Sequence, residues 1–312
     1  METIKQFNHA ILDIGSNSFH FLIYKIESDK SFTVLLRKRI VCRLGLQTQN
    51  GKSFLSEEDF SQTERLIYEF LEFCRSYSCT MTATATSAVR EAANVNQFIT
   101  HIKKVTGVSI EILSGEREAF LIYKAILSFT HDAHSKNILC LDIGGGSTEF
   151  ILGSSGKIIF TDSLKLGSVR MYSRFFQNGI LNEKEIEECR SFIINKLQSV
   201  KQKLSAEKID LVTGNSGTIH AVKAVAAANK LCKNDEHVLS RVGVDRAMEF
   251  LIKHKTIEER KTIPGIELDR ADILPAGTLI LQSIFHELNL SEIYLSDFSM
   301  REGKLLEILE QS

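Results

Sequence analysis

Apolar residues come in two patterns along this chain. Short unbroken runs of Ile, Leu, Val and Phe alternate with longer stretches in which apolar residues recur every three or four positions. The first pattern predicts buried strands and the second amphipathic helices. Two of the unbroken runs are near copies of each other. Residues 11–23 read I-L-D-I-G-S-N-S-F-H-F-L-I and residues 140–152 read C-L-D-I-G-G-G-S-T-E-F-I-L. They share Leu12/Leu141, Asp13/Asp142, Ile14/Ile143, Gly15/Gly144, Ser18/Ser147 and Phe21/Phe150 at an offset of 129 residues. A domain-sized offset predicts duplicated domains, each opening with strand, turn and strand; chance likeness of two apolar strands is the competing reading. Further strands are expected at 31–41, 108–113, 157–163 and 209–213, and helices around 87–105, 114–129, 218–230, 245–254 and 273–288.

Two more helices carry start signals. Ser56 with Asp59 precedes Ile67, Phe70, Leu71 and Cys74 at helical spacing, and Asn182 with Glu185 precedes Ile186, Cys189, Ile193, Leu197, Val200 and Leu204. A last helix, Ser299–Glu310, opens with the pair Ser299/Glu302 and is expected to fold back onto the first domain. Strands alternating with helices make this an α/β chain. The division is expected at 1–124 plus 299–312 for domain I and 125–298 for domain II. Proline occurs only at 264 and 275, so no stiff linker is expected.

Composition narrows the function classes. The 312 residues carry 38 basic and 39 acidic side chains, a formal charge of −1, so no general attraction to nucleic acid or an anionic membrane follows. No run approaches the ~18 apolar residues of a membrane span, and Met1–Ala10 has no apolar signal core. Cys42, Cys74, Cys79, Cys140, Cys189 and Cys232 form no C-x-x-C pair and read as buried, reduced thiols. A cytoplasmic protein is expected.

The turns at 13–18 (D-I-G-S-N-S) and 142–149 (D-I-G-G-G-S-T-E) carry the chemistry. In each, an aspartate ends an apolar strand and small residues turn the backbone. Glycine lets main-chain N–H groups approach an anion, and Ser and Thr add hydroxyls. Each turn leads into another strand, which argues against a dinucleotide fingerprint, and no G-K-[ST] is present. Two matched turns point to a phosphate site. A third glycine turn, T-G-N-S-G-T (213–218), follows a strand and enters a helix, a further anion-binding candidate.

These paired turns resemble the phosphate loops of the actin, hexokinase and sugar-kinase superfamily. Within it the chain closely resembles the exopolyphosphatase and guanosine pentaphosphate phosphohydrolase (Ppx/GppA) family. The resemblance rests on D-I-G-S-N-S-F-H (13–20), A-T-S-A-V-R-E-A-A-N (85–94), S-G-E-R-E-A (114–119) and D-I-G-G-G-S-T-E (142–149). It continues through G-N-S-G-T (214–218), E-R-K-T-I-P-G-I (259–266), D-R-A-D-I (269–273) and R-E-G (301–303). It implies two actin-like (ribonuclease H-like) domains related by duplication, with an interdomain cleft, in a short two-domain form of the family.

The resemblance also implies an Mg²⁺-dependent hydrolase of inorganic polyphosphate or guanosine pentaphosphate. Glu118 would handle the attacking water and Arg90 would grip the transferring phosphoryl group. Asp142 and Glu149 would hold Mg²⁺ or another divalent cation. Asp13, Gly15, Ser16, Asn17, Ser18, Gly144, Gly145, Gly146, Ser147, Thr148, Gly214, Ser216, Gly217 and Thr218 would contact substrate. His20 stands where the second copy has Glu149, which favours the second turn as the metal side and leaves His20 structural or a phosphate contact. Asp297 replaces a glycine usual in the family just before Arg301, so channel geometry there is open. The clusters Arg37-Lys38-Arg39, Lys201/Lys203 and Lys253-His254-Lys255 read as solvated faces. A kinase of the same superfamily and a non-hydrolytic guanosine tetra- or pentaphosphate sensor are the alternatives. Partners beyond the substrate are not expected, neither nucleic acid nor membrane; a homodimer is left open.

Overall fold

Both D-I-G runs form hairpins. In the computed structural model, which describes residues 6–45, 47–49, 52–232 and 235–311, β1 (Phe7–Ile14) pairs antiparallel with β2 (Ser18–Ile26), and β2 with β3 (Phe32–Val41). A small hairpin, β4 (Gln47–Gln49) and β5 (Lys52–Phe54), leads to helix α1 (Glu57–Ser76). Then come β6 (Thr80–Ala85), α2 (Ser87–Arg90), α3 (Val95–Thr106), β7 (Ile110–Ile112) and α4 (Gly115–Phe129). The five long-range strands order as β3-β2-β1-β6-β7, with β6 parallel to β1 and β7 parallel to β6.

The second run repeats the plan. β8 (Ile138–Ile143), β9 (Thr148–Ser154) and β10 (Lys157–Leu164) are antiparallel neighbours, followed by α5 (Ser168–Phe175), α6 (Glu183–Leu204) and β11 (Leu211–Gly214). Next are α7 (Gly217–Ala228), β12 (Val238–Ser240), α8 (Arg241–Lys253), α9 (Ile257–Lys261), α10 (Leu274–Glu287) and β13 (Glu292–Leu295). This sheet runs β10-β9-β8-β11-β13-β12, with β11 parallel to β8 and β13 parallel to β11. Each sheet therefore has three antiparallel strands followed by two parallel ones, the actin-like (ribonuclease H-like) order, present twice, and β12 adds an antiparallel edge strand to the second. The chain forms two compact units, Met1–Glu118 with Lys304–Ser312, and Ala119–Gly303. Residues 1–5 of the N-terminal stretch and Ser312 of the expected last helix lie outside the described residues.

Burial explains the unbroken apolar runs. In the first unit Leu12, Ile14, Phe19 and Phe21 face a core with Ile67 and Phe70 of α1 and Phe98 of α3. The Phe21 and Phe70 rings stack 4.5 Å apart. The alternate residues Ile11, Leu22, Tyr24 and Ile26 meet Leu305 and Leu309 of the C-terminal helix, Met300–Gln311. Strands covered on both faces have no polar positions to alternate with. α1 begins at a reciprocal cap: Ser56 Oγ accepts from the Asp59 amide (3.1 Å) and Asp59 accepts from the Ser56 amide (2.8 Å). In the second unit α6 opens on Asn182 accepting from the Glu185 amide at 2.9 Å, and α10 is buried along nearly its whole length.

One expected helix is divided. The segment around 87–105 breaks between α2 and α3 because its backbone finds other partners. The Ala93 amide donates to the Ser53 carbonyl (2.8 Å), while the Asn94 side chain exchanges two bonds with the Leu55 backbone (3.0 and 2.8 Å). The six thiols are free; Cys74, Cys140 and Cys189 are buried, but Cys42, Cys79 and Cys232 are only half-buried. Burial pushes Cys74, Cys140 and Cys189 up to about 12 and Cys42 to about 11, so these thiols stay protonated. The basic clusters are partly paired, Lys38 with Glu69 (3.2 Å), Lys201 with Glu287 (2.9 Å) and Lys203 with Asp162 (3.6 Å).

Candidate active site

The two D-I-G turns close in the same way. The Gly15 amide donates to the Ser18 carbonyl (3.1 Å) and the Gly144 amide to the Ser147 carbonyl (2.9 Å). A Cβ on Gly15 would lie 2.9 Å from the Ser18 oxygen, so the tightness of that turn excludes a side chain. Strand register places Asp13 opposite His20 and Asp142 opposite Glu149.

In the first unit the turn is braced by the start of α2. Ser16 Oγ lies 2.8 Å from Ser87 Oγ and accepts from the Ala88 amide (3.2 Å), while the Thr86 amide donates to the Ile14 carbonyl (3.3 Å). The Asn17 carbonyl takes the amides of Cys42 and Arg43 (both 3.0 Å). Its side-chain amide, in a residue 6% exposed, has no hydrogen-bond partner on either atom among the described residues. A buried amide with unmet donor and acceptor is costly unless a ligand completes it. Asp13 is buried, and Ser18 Oγ meets His20 Nε2 at 3.0 Å.

Arg90 and Glu118 are brought together. Arg90 ends α2, and its Nη1 donates to Glu118 Oε2 (2.5 Å) and to the Leu113 carbonyl (2.6 Å). Glu118 sits in the first turn of α4, 8% exposed, its amide bonded to the Ser114 carbonyl (2.9 Å). A guanidinium has five donors in a planar fork, and both of these bonds use the one nitrogen. The rest of the fork can take phosphoryl oxygens.

In the second unit α5 holds the glycine turn by its carbonyls. The Ser168 amide donates to the Gly144 carbonyl, and the Val169 and Arg170 amides to the Gly145 carbonyl, all at 3.0 Å; Arg170 Nε donates to the Gly146 carbonyl at 2.6 Å. In a trans peptide the carbonyl and the next N–H point in opposite directions. The N–H groups of Gly145, Gly146 and Ser147 are thereby turned away from α5, three donors in succession, which is an anion-binding concavity. Gly167 makes this approach possible: a Cβ there would lie 2.3 Å from the Gly145 oxygen and 2.4 Å from the Gly146 nitrogen.

The side chains of this turn do less than the sequence pattern suggests. Ser147 Oγ donates to Glu149 Oε1 (2.7 Å), and Thr148, fully buried, donates to the Leu166 carbonyl (2.6 Å). Both hydroxyl protons are used within the protein, and the backbone amides are the donors that the turn offers to a ligand. Glu149, 3% exposed, also accepts from Ser163 Oγ at 2.8 Å. Asp142 is half-buried, with Asn215 Nδ2 at 3.5 Å from its Oδ2. Magnesium needs only one or two protein carboxylates when phosphates and waters complete it, and adjacent carboxylates on paired strands fit that demand. Among the described residues no three His, Cys, Asp or Glu side chains converge as a closed metal cage.

The 213–218 turn is packed from inside the second unit. The Gly214 carbonyl accepts from the Ser296 amide (2.9 Å), Ser216 caps α7 by accepting from the Ile219 amide (3.2 Å), and Thr218 is buried against Gly277. Gly217 lies under Arg270, whose Nη2 would be 2.4 Å from a Cβ. Asp297 has no positive φ, so glycine is not required there for backbone reasons.

The sequence model of the Ppx/GppA phosphatase family matches residues 22–312. The chain belongs to that family. An exopolyphosphatase from Cytophaga hutchinsonii ATCC 33406 superimposes with a TM-score of 0.87 at 25% identity, covering 97% of this chain and 98% of that one. The Ppx/GppA family member of Aquifex aeolicus gives 0.79 at 25% identity over 99% of both chains. A nucleoside triphosphate hydrolase from Neospora caninum, 9% identical, gives 0.60 over 96% of this chain and 92% of that one, which shows a shared fold alone. As a Ppx/GppA protein with these neighbours the chain is a phosphoanhydride hydrolase.

Four residues packed at the candidate turns, one in the first unit and three in the second, lie outside the two D-I-G runs. Ser87 and Asn215 lie in T-A-T-S-A (84–88) and T-G-N-S-G (213–217), which recur at the same 129-residue offset, Ser87 matching Ser216 and Asn215 matching Thr86. That second repeat is the signal that could have found both. Ser163 and Gly167 carry no motif; only strand pairing and the start of α5 bring them in.

Proposed function

We propose that this Ppx/GppA protein removes the terminal phosphate of inorganic polyphosphate or the 5′-terminal phosphate of guanosine pentaphosphate, with Mg²⁺ or another divalent cation. The observation that carries the reading is the Arg90–Glu118 pair, a half-buried guanidinium fork bonded at 2.5 Å to a buried carboxylate. An ionised carboxylate is acceptor-only, the state in which it can align a water and take its proton. The water oxygen bonds to the terminal phosphorus while the bridging P–O bond breaks. The bridging oxygen leaves with its electron pair on the shortened chain, and the water proton passes to Glu118. Arg90 meets the charge spread over the transferring phosphoryl oxygens.

In the second unit the amides of Gly145, Gly146 and Ser147 and the Gly214–Thr218 turn, and in the first unit the Asn17 side chain with Asp13, Gly15, Ser16 and Ser18, would contact phosphate oxygens. Asp142 and Glu149 would hold the divalent cation. Such a cation would supply charge neutralisation to the phosphate oxygens. Six free thiols suit a reducing compartment, and no helix among the described residues is long and apolar enough to cross a membrane; a cytoplasmic location fits both. The test is phosphate release from long polyphosphate, short polyphosphate and guanosine pentaphosphate, with Mg²⁺ and no organic acceptor. Orthophosphate from at least one supports the reading. Nucleotide binding without release would replace it with a sensor, and release only when an acceptor is added would replace it with a kinase.

A further inference from the structure

The three antiparallel strands of each sheet place one residue each in a common row. In the second unit the row is Asp142, Glu149 and Ser163, read straight from the register of β8, β9 and β10. In the first it is Asp13, His20 and Arg39. Residues in one such row share a face of the sheet.

The two rows keep one contact and differ in another. Ser18 Oγ meets His20 Nε2 at 3.0 Å, and at the same offset Ser147 Oγ donates to Glu149 Oε1 at 2.7 Å. The serine before the central residue thus belongs to the hairpin in both units. The third-strand residue differs: a hydroxyl accompanies the carboxylate, whereas an arginine accompanies the imidazole. Ser163 is therefore associated with the acid, not with the hairpin.

We propose that Ser163 is a positioning residue for the divalent cation: with Ser147 it fixes the Glu149 carboxylate so that this buried acid is preset to ligate the metal. The inference rests on the reading of Glu149 as a metal carboxylate. Two hydroxyls, from β10 and from the turn, donate to the same oxygen, Oε1, at 2.8 and 2.7 Å. Rotating the carboxylate about its last torsion breaks both bonds, so together they set the plane in which Oε2 lies. Glu149 is 3% exposed, and the two hydroxyls hold its carboxylate from the turn and from β10 at once. Outer partners of this kind commonly govern metal affinity by about 10–100-fold.

The experiment uses the full chain. Mn²⁺ binding is measured by calorimetry without substrate, and the Mg²⁺ concentration for half-maximal phosphate release is measured separately. Ser163→Ala is expected to weaken Mn²⁺ binding about tenfold and raise the Mg²⁺ requirement in parallel. Turnover should recover at saturating metal, with an unchanged Tm in chelator. Ser163→Thr, which keeps the hydroxyl, is expected to behave as wild type. Wild-type Mn²⁺ affinity in Ser163→Ala overturns the proposal, as does an equal loss in Ser163→Thr, which would assign the effect to packing. Glu149→Gln separates the two levels. If it leaves Mn²⁺ affinity unchanged, the reading of Glu149 itself fails; if it weakens binding while Ser163→Ala does not, only the role of Ser163 fails.

Discussion

Gly167→Ala is a one-methyl change that should disable the glycine turn without touching a charged residue. The new Cβ would lie 2.3 Å from the Gly145 oxygen and 2.4 Å from both the Gly145 carbonyl carbon and the Gly146 nitrogen. A carbon needs about 3.5 Å from its neighbours, so the turn or the start of α5 must retreat by about 1 Å. The obstacle is backbone, and no rotamer change relieves it. The bonds from Ser168, Val169 and Arg170 to the turn carbonyls, all 3.0 Å, would stretch together, and the three amides on the opposite side of those peptides would move with them. Overpacking of this kind costs about 1–3 kcal/mol of stability. A displacement of about 1 Å in a positioning group costs about 100-fold in rate. Gly167→Ala should therefore lower kcat/KM for phosphate release by about two orders of magnitude while the protein still unfolds cooperatively. Gly107→Ala is the control: nothing lies within 4 Å of its Cβ, but its φ of +76° strains an alanine, so it should lose stability and keep turnover. Wild-type kcat/KM in Gly167→Ala would refute the reasoning that the turn's amides are held in place by α5.

Three further perturbations have defined outcomes. Arg260 is fully buried and donates to the carbonyls of Ala271 (2.6 Å), His254 (3.0 Å), Lys255 (2.9 Å) and Gly179 (2.9 Å); Arg260→Met leaves them without that donor and should cost about 3–5 kcal/mol in urea unfolding, with Arg260→Lys restoring only part. His9 is buried between Thr80 and Thr82, and burial lowers its pKa below 6.5. The unfolded chain then takes up the proton first, so this contribution is present above pH 6.5 and lost as pH falls toward the folded value; His9→Gln should flatten the urea midpoint over that window. Gly303 lies against α4, where a Cβ would be 1.9 Å from the Leu121 carbonyl oxygen, so Gly303→Ala should lower Tm even though alanine is the better helix former.

What was legible in the sequence is what lies close together in it. Asp13, Gly15, Asp142 and Gly144 announce themselves because a strand, a tight turn and a second strand occupy a dozen consecutive residues, and the whole unit occurs twice. The helices of α1 and α6 were legible because their caps and apolar spacing are local. The rest depends on partners distant in the chain. Thr148 fits a phosphate loop by composition, yet its hydroxyl is taken by Leu166, eighteen residues on. The break between α2 and α3 depends on Leu55 accepting and donating to Asn94 across thirty-nine residues, so helical periodicity alone ran the two together. β13, a four-residue strand, is too short to show alternation and exists because β11 and β12 pair with it. Ser163 reaches the site only through the register of β9 and β10.

The central claim is that a carboxylate held by Arg90 activates water against a phosphoanhydride. Glu118→Gln tests it most directly, since the amide keeps the shape and an oxygen acceptor for Arg90 but cannot take a proton. Turnover of polyphosphate or guanosine pentaphosphate and equilibrium binding of the same substrate should be measured on one preparation. The account predicts that turnover falls by about 10²–10⁴-fold with binding retained. Turnover equal to wild type would contradict it.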